Sequence, residues 1–218
     1  MPPEATEVLL IRHGESEPAR PDVPFPLTDG HGDPELALEG KHQAERLARR
    51  LAAVHIHAIY VTTLRRTAQT AAPLARRLGL TPRVEAGLRE VNLGTWEGGL
   101  FRKMVAEHDP VAERMWAEER WDVIPGAEPA PALAARVREA IERLAAAHPG
   151  QRVAVFTHGG VIGQALALAS RSRPFAFIGA DNGSISSLVV AGERWIIRGF
   201  NDTAHLESTL AASPAPLT

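Results

Sequence analysis

The feature that most constrains the fold of this chain is an apolar run, Val8–Ile11, that ends abruptly in Arg12, His13 and Gly14. Such a run predicts a strand buried on both faces, which is typical of a parallel sheet. Gly14 allows the chain to turn sharply after the strand. Open parallel sheets bind ligands beyond the carboxyl ends of their strands, and Arg12 and His13 are predicted at that end. Taken alone, the pair is better explained as a surface strand end, so the other polar residues of the chain must decide whether it marks a functional site.

Strands and helices alternate along the chain. This βαβ alternation predicts an α/β fold with a mostly parallel sheet. The last two strands read as a hairpin that gives the sheet an antiparallel edge. The predicted strands are 8–11, 58–61, 83–85, 152–156, 185–190 and 195–197, and the predicted helices are 38–54, 64–78, 132–147 and 161–170, with one or two more in 100–121 broken near Asp109-Pro110.

Proline and glycine mark the irregular segments. The stretch from Glu17 to Glu35 contains five prolines, so it is predicted to be irregular and is a candidate wall of a binding site. Thr62 and Thr63 are expected to cap the helix that follows them. No repeat and no interdomain linker is visible, so we expect one domain over 1–218, with an ordered core at about 6–200 and a loose tail over 206–218.

Composition excludes several classes of function. The formal charge of −2 and the absence of a basic run argue against a nucleic-acid partner. The acidic N-terminus does not resemble a signal peptide, and no apolar stretch is long enough to span a membrane. The absence of cysteine excludes disulfides and thiolate chemistry. We therefore expect a cytoplasmic protein with no membrane partner, and a homodimer stays open.

Polar residues follow three of the predicted strands. Arg12 and His13 follow the first, Arg66 lies in the first helical turn after the second, and Thr157-His158-Gly159-Gly160 follows the third. Because parallel strands end at the same edge of a sheet, these groups are predicted to converge. Glycines at a helix N-terminus also bring backbone N–H donors towards an anion. Two guanidiniums and two imidazoles facing one point suit a dianionic phosphoryl group.

A carboxylate is needed beside these cations if the site is to transfer protons. Glu90 and Glu97 both follow the weak strand at 83–85 and so come from the same edge of the sheet. Glu90 is the preferred candidate because it precedes a turn bounded by glycines. Spacing alone does not separate the two.

With these motifs in place, the chain resembles the histidine phosphatase superfamily, in the branch related to cofactor-dependent phosphoglycerate mutase. Four segments match in family order: Arg12-His13-Gly14-Glu15, Thr62 to Ala71, Leu88 to Gly98, and Thr157-His158-Gly159-Gly160. The resemblance implies a phosphoglycerate mutase-like three-layer α/β/α sandwich. It also favours Arg66 over Arg65 as the phosphate ligand, and Glu90 over Glu97 as the acid.

The resemblance implies a metal-independent phosphatase with no cofactor, acting on a small phosphorylated metabolite. His13 would form a phosphohistidine, Glu90 would be the general acid and base, and Arg12, Arg66 and a protonated His158 would neutralise the phosphoryl oxygens. Ser16 and Gly159 are further substrate-binding candidates. No metal is expected, since the cations supply the charge that a metal would supply elsewhere.

The chain departs from the family pattern at four positions. Thr62 and Thr157 replace the usual serines, Ala37 stands where threonine is frequent, and Ala19 stands where the mutases have asparagine. The change at Ala19 counts against mutase activity and favours hydrolysis. The alternatives are a phosphoglycerate mutase-type phosphotransferase, a protein phosphatase, and a catalytically silent module that binds a phosphorylated ligand.

Other suggestive residues have plainer interpretations. His55 and His57 share one strand face as a metal pair could, but no third ligand is near in sequence. His31 lies in a turn rich in proline and glycine and is interpreted as part of that turn. Three tryptophans are either the lining of a substrate cap or part of the core: Trp96, Trp116 and Trp121.

Overall fold

The protein was analysed as a computed structural model, which describes residues 4–20 and 23–206. The tail expected over 206–218 therefore lies, apart from Leu206, outside the described residues. None of the helices found in these residues is both long and apolar enough to cross a membrane.

A six-stranded sheet forms the centre of the molecule, in the order β5-β4-β6-β1-β7-β8. The first four strands of that order are mutually parallel, while β7 and β8 are antiparallel and complete one edge. This confirms the predicted mixed sheet and its terminal hairpin. The strands are β1 (Thr6–Arg12), β2 (Leu27–Thr28), β3 (His31–Gly32), β4 (Ala58–Val61), β5 (Arg83–Val84), β6 (Arg152–Thr157), β7 (Ile185–Ala191) and β8 (Arg194–Asp202), with β2 and β3 forming a separate small hairpin.

Helices cover both faces of the sheet, which gives the predicted three layers. Successive residues of β1 point to opposite faces, as the pleat requires. Leu10 packs with the helices of one face, and Ile11 packs with those of the other. The helices are α1 (Leu38–Leu51), α2 (Arg65–Leu78), α3 (Leu100–Ala106), α4 (Pro110–Glu118), α5 (Ala130–Ala147) and α6 (Gly159–Ser170).

The proline-rich segment is more ordered than its composition indicates. It was expected to be irregular, but it contains the β2–β3 hairpin, whose turn is Asp29-Gly30. Both turn residues have positive φ, 49° and 78°, which is the backbone conformation that an Asp-Gly pair favours in tight hairpins. The sequence did not predict the hairpin because its two-residue strands are too short to show a periodic pattern.

The start of α2 also differs from the prediction. Thr62 and Thr63 do not cap this helix, since its N-cap residue is Leu64 and no side chain of that residue bonds the helix. The carboxylate of Asp33 instead accepts a hydrogen bond from the backbone N–H of Arg65 at 2.8 Å. A residue distant in sequence therefore satisfies the helix terminus, and the hydroxyl of Thr62 is available for another contact.

Two glycines hold the end of β1 against α1. A Cβ atom on Gly14 would lie 2.5 Å from the carbonyl oxygen of Gly40, and one on Gly40 would overlap the carbonyl oxygen of Glu15. The backbone N–H of Ala37 donates to that same Glu15 oxygen at 2.9 Å. Because only backbone atoms meet here, a side chain cannot be accommodated without moving the turn that follows His13.

We therefore expect Gly40→Ala to lower the free energy of unfolding by about 1–3 kcal/mol, the usual cost of overpacking, although alanine is the better helix former. Urea unfolding at neutral pH measures the change. Lys41→Ala is the matched control, because Lys41 is exposed on the same helix and should alter stability by no more than about 0.5 kcal/mol. A Gly40→Ala variant as stable as the wild type would contradict the close approach.

Candidate active site

The carboxyl ends of β1, β4 and β6 open into one cavity of about 180 Å³. The sequence-predicted site residues that line it are Arg12, His13, Ser16, Arg66, Glu90 and Gly159. His158 is fully buried, and its ring centroid is 5.2 Å from that of His13. The structure thus brings together every site residue expected from the sequence.

The ring of His13 is held at both nitrogens. Its Nδ1 lies 2.7 Å from the carbonyl oxygen of Gly14, which can only accept a hydrogen bond. Nδ1 therefore carries the proton. The Nε of Arg66 donates to Nε2 of His13 at 3.1 Å, so Nε2 carries a lone pair. This is the tautomer in which Nε2 can act as a nucleophile.

The electrostatic surroundings keep His13 neutral. Burial lowers its pKa well below the usual 6.5, and the nearby guanidiniums of Arg66 and Arg12 lower it further. Protonation of His13 would place an imidazolium directly beside the guanidinium of Arg66, and the repulsion between these two cations favours the neutral imidazole. His13 therefore retains its lone pair at pH values where an exposed histidine would be half protonated.

The two arginines are anchored by backbone carbonyl groups. The Nη1 of Arg66 donates to Gly32 at 2.8 Å, and the Nη1 of Arg12 donates to Ala180. The buried Nε of Arg12 has no hydrogen-bond partner within the described chain. Such an atom in the wall of a polar cavity suits an anionic ligand, since an unpaired buried donor is costly.

His158 contributes a second unpaired buried atom. Its Nε2 lies 3.0 Å from the hydroxyl oxygen of Thr62, while its Nδ1 has no partner among the residues that the structure describes. Burial lowers its pKa well below 6.5, with Arg66 the next cause. These surroundings favour the neutral imidazole, whereas the sequence-based expectation of a protonated His158 concerns the complex with a phosphoryl group and stays a prediction. A bound dianion would favour the charged form, because opposite charge raises a histidine pKa.

The structure separates the two candidate glutamates. Glu97 is fully engaged by backbone N–H groups, accepting from Gly32 at 2.6 Å and from Leu93 at 2.9 Å, and so holds the cavity wall. Glu90 accepts from Val91 at 3.0 Å and, weakly, from Gly160 at 3.4 Å. A Cβ on Gly160 would lie 2.7 Å from a Glu90 carboxylate oxygen, so the glycine is what allows the carboxylate to approach α6.

Arg136 on α5 holds the segment that carries Glu90. Its guanidinium donates to the carbonyl oxygens of Gly87, Arg89 and Glu90 at 2.9, 2.7 and 3.1 Å. It also forms a two-pronged ion pair with the carboxylate of Glu128 at 2.6 and 2.7 Å. Such a planar fork fixes both distance and direction, so Arg136 sets where Glu90 lies.

His31 belongs to the cavity, which the sequence did not indicate. It is 7% exposed and lines the cavity, and its ring nitrogens lie 3.1 Å from the carbonyl oxygens of Asp29 and Glu90. Both contacts are hydrogen bonds only when both nitrogens carry protons. His31 thereby links the β2–β3 hairpin to the backbone of Glu90. No signal in the sequence separated it from an ordinary turn residue.

The remaining candidates are an exposed histidine pair and three tryptophans. His55 and His57 are exposed and pack ring against ring at 4.3 Å. Among the described residues, no group of three or more histidine, aspartate or glutamate side chains could hold a metal ion. The three tryptophans serve as both core and lining, since each belongs to or packs against the core and each borders the cavity.

The arrangement can bind and attack an electrophilic dianion. Nε2 of His13 carries a lone pair, and the cavity that His13 lines is also bounded by two guanidiniums, with the unpaired nitrogen of His158 beside it. The Glu90 carboxylate lines the same cavity, close enough to oppose the lowering of the pKa of both arginines by burial. Cations and a carboxylate around one imidazole suit displacement at phosphorus, in which charge spreads over three oxygens and the leaving oxygen needs a proton.

Comparison with known proteins places these features in context. The model of the histidine phosphatase superfamily (branch 1) matches residues 8–203. Phosphoglycerate mutase-like protein 4 of Arabidopsis thaliana is 34% identical over 93% of this chain and 88% of its own length. Phosphoserine phosphatase 1 of Hydrogenobacter thermophilus is 32% identical over 92% and 94%. A mycobacterial glucosyl-3-phosphoglycerate phosphatase structure superposes with a TM-score of 0.76 at 29% identity, covering 91% of this chain and all of the other.

The lowered histidine pKa values predict a loss of stability in mild acid. The folded protein binds fewer protons than the unfolded chain at His13 and His158 once the pH falls below 6.5. The free energy of unfolding should therefore decrease as the pH falls from 7.5 to 5.5, by up to about 1.4 kcal/mol for each histidine. Urea unfolding at pH 7.5, 6.5 and 5.5 measures this, and the double variant His13→Asn, His158→Asn should show a shallower pH dependence. An unchanged slope would contradict the assignment.

Removal of Arg136 should displace Glu90 and weaken proton donation to the leaving group. We expect Arg136→Ala to lower kcat about ten-fold or more for an alkyl phosphate, but less for p-nitrophenyl phosphate, whose good leaving group needs little acid catalysis. Steady-state kinetics with both substrates measures the difference. Arg138→Ala is the matched control, because Arg138 lies on the same helix and pairs only at the surface with Glu142 and over Trp195. An equal loss on both substrates would show that Arg136 acts on stability alone.

Proposed function

This chain belongs to branch 1 of the histidine phosphatase superfamily, and from that premise we propose that it hydrolyses a phosphomonoester of a small metabolite through a phosphohistidine on His13. One observation carries the proposal: Nε2 of His13 is unprotonated, accepts a hydrogen bond from Arg66, and belongs to a residue that lines the same cavity as Arg12 and Glu90. The phosphatases among its relatives support the same reaction class.

In the first step, the lone pair on Nε2 of His13 attacks phosphorus, and the bond from phosphorus to the leaving oxygen breaks. Glu90, in its acid form, donates a proton to that oxygen and becomes a carboxylate. The alcohol leaves and the phosphoryl group remains on His13. The Gly14 carbonyl stabilises this state, since the Nδ1–H of the phosphorylated ring still needs an acceptor.

In the second step, a water molecule attacks phosphorus from the side that the alcohol has left. Glu90 removes a proton from this water as the bond from phosphorus to nitrogen breaks, which regenerates neutral His13 and the acid form of Glu90. Inorganic phosphate is the product. The same carboxylate thus serves both steps, which is consistent with one proton donor on the cavity side facing His13.

The phosphoryl oxygens are assigned to groups with free hydrogen-bonding capacity. The Nε of Arg12 and the Nδ1 of His158 are both buried without partners, and each would donate to a phosphoryl oxygen. The guanidinium of Arg66 adds charge next to the nucleophile. Gly159 begins α6 beside Arg12 and contributes backbone at a helix N-terminus, and Ser16 lies in the cavity wall within reach of the same anion.

Phosphoglycerate mutase-type phosphotransfer is the second candidate, and the relative from Arabidopsis thaliana supports it by name. Mutases must retain the phosphorylated enzyme until the second acceptor binds. Ala19, where the mutases have asparagine, removes a polar group from the loop beside Gly99 at the cavity wall. Hydrolysis is therefore the preferred reaction, and analysis of the products formed from 3-phosphoglycerate distinguishes the two.

The proposal includes a cytoplasmic location and a small phosphorylated partner, without a nucleic-acid or membrane partner. The near-neutral formal charge of −2 supports the absence of a nucleic-acid partner, because a polyanionic partner requires a basic surface.

The first test is phosphate release from p-nitrophenyl phosphate with EDTA present. We expect turnover to persist in EDTA, and His13→Ala to lower kcat on the order of 10³-fold or more, because the nucleophile is lost. His57→Ala is the matched control, since His57 is an exposed histidine far from the cavity lining. Brief incubation with ³²P-labelled substrate followed by alkaline quenching should trap an acid-labile, alkali-stable phosphoryl group on the wild type and on His57→Ala, but not on His13→Ala.

Two results would contradict the proposal. Turnover abolished by EDTA and restored by a divalent metal would show that the cation cluster does not act alone. Full activity in His13→Ala would assign the nucleophile elsewhere.

A further inference from the structure

The cavity has a second half that the reaction at phosphorus does not use. Five aromatic side chains form it, and we refer to them as the aromatic wall: Phe25, Trp96, Phe101, Trp116 and Trp121. They come from separate elements, namely the loop before β2, the 3₁₀ segment Gly94–Gly99, α3, α4 and the 3₁₀ turn Trp121–Val123. Because the wall and the phosphate cluster border the same cavity, the wall bounds the space that is open to the leaving group of a phosphate bound at His13.

The rings of the aromatic wall are packed against one another and do not collapse into the cavity. The ring of Phe101 lies 6.2 Å from that of Trp96 and 5.8 Å from that of Trp121. Phe175 supports the wall from behind, at 5.7 Å from Trp116 and 5.0 Å from Trp121. These separations are those of favourable aromatic pairs, so the wall presents a fixed apolar surface.

The charged groups in this half of the cavity are few and mostly engaged. Glu97 accepts two backbone hydrogen bonds, and Glu90 belongs to the reaction. No carboxylate described around the cavity is therefore left for a substrate ammonium group. Of the charged side chains described there, only Arg102 has no hydrogen-bond or ion-pair partner, and it is exposed. The wall itself thus offers apolar contact, and ionic contact in the described part of the cavity rests on Arg102, whose charge contributes to lowering the pKa of Arg12 and His13.

We propose that the substrate is a phosphomonoester whose leaving group carries an aromatic ring or a comparably extended apolar body, which the aromatic wall binds. The inference rests on the proposed function and specifies its substrate class. Burial of an apolar leaving group removes both its own surface and that of the wall from water. It also excludes bulk water from the bond between phosphorus and the leaving oxygen, while Glu90 remains to donate the proton.

The test compares esters whose leaving alcohols have similar acidity, so that chemistry at phosphorus is constant. The substrates are 3-phenylpropyl phosphate and n-propyl phosphate, with O-phosphoserine and 3-phosphoglycerate as charged competitors. We expect kcat/KM for 3-phenylpropyl phosphate to exceed that for n-propyl phosphate about ten-fold or more, which corresponds to burial of one ring. It should also exceed the values for both charged esters.

Variants connect the preference to the wall. Trp116→Ala should lower the ratio of kcat/KM for phenylpropyl over propyl phosphate several-fold, and Trp116→Phe, which keeps a ring, should preserve most of it. Phe200→Ala is the matched control, because Phe200 lies on β8 outside the cavity lining and pairs with Phe177. It should leave the ratio unchanged.

Each of the following outcomes would contradict a specific part of the inference or of the proposed function. Equal kcat/KM for the two alkyl esters, or a preference that survives both Trp116→Ala and Phe101→Ala, would show that the wall does not bind the leaving group. Faster hydrolysis of 3-phosphoglycerate or O-phosphoserine would mean that ionic contacts, with Arg102 as the available cation, select the substrate. In those cases the enzyme is still a phosphatase. Failure to hydrolyse any ester would instead overturn the proposed function itself.

Discussion

The hydrogen bond from the Nδ1–H of His13 to the carbonyl of Gly14 is the contact on which the site depends. It leaves the lone pair on Nε2, the atom that faces Arg66, and so makes a neutral imidazole compatible with an adjacent guanidinium. The carbonyl itself is in place because Gly14 packs directly on Gly40 at the start of α1. The orientation of the reactive nitrogen is therefore determined by backbone packing between a strand end and a helix.

The same principle operates at Glu90. Gly160 lets the Glu90 carboxylate reach the start of α6, and Arg136 holds the backbone of Glu90 through carbonyl groups. His31 contacts that backbone from the hairpin side. The proposed proton donor, Glu90, is thus positioned mainly through its main chain, which limits its freedom more than a single side-chain contact would.

The sequence predicted the parts of the fold and site that have local signals. The apolar runs of β1, β4 and β6 and the polar residues after them were sufficient to predict the sheet and the convergence of Arg12, His13 and His158. Residues whose role depends on distant partners could not be predicted in this way. Asp33 satisfies the start of α2 from more than thirty positions away, and the Arg136 fork closes on carbonyl groups of a segment nearly fifty positions distant. Neither contact leaves a pattern in the neighbouring residues.

The first turn of α2 carries two adjacent guanidiniums, Arg65 and Arg66, and no acidic residue. The positive end of a helix dipole disfavours cations, and carboxylates from other segments compensate. Asp33 and Glu35 pair with Arg65, and the charge of Arg66 is favoured by Glu90, Asp33 and Glu97. Burial nevertheless lowers the pKa of Arg66, so the protein holds this charge at a cost in folding free energy. Stability and activity therefore oppose each other at this helix start, and selection for a more heat-resistant chain would tend to remove the charge that we propose binds the phosphoryl group.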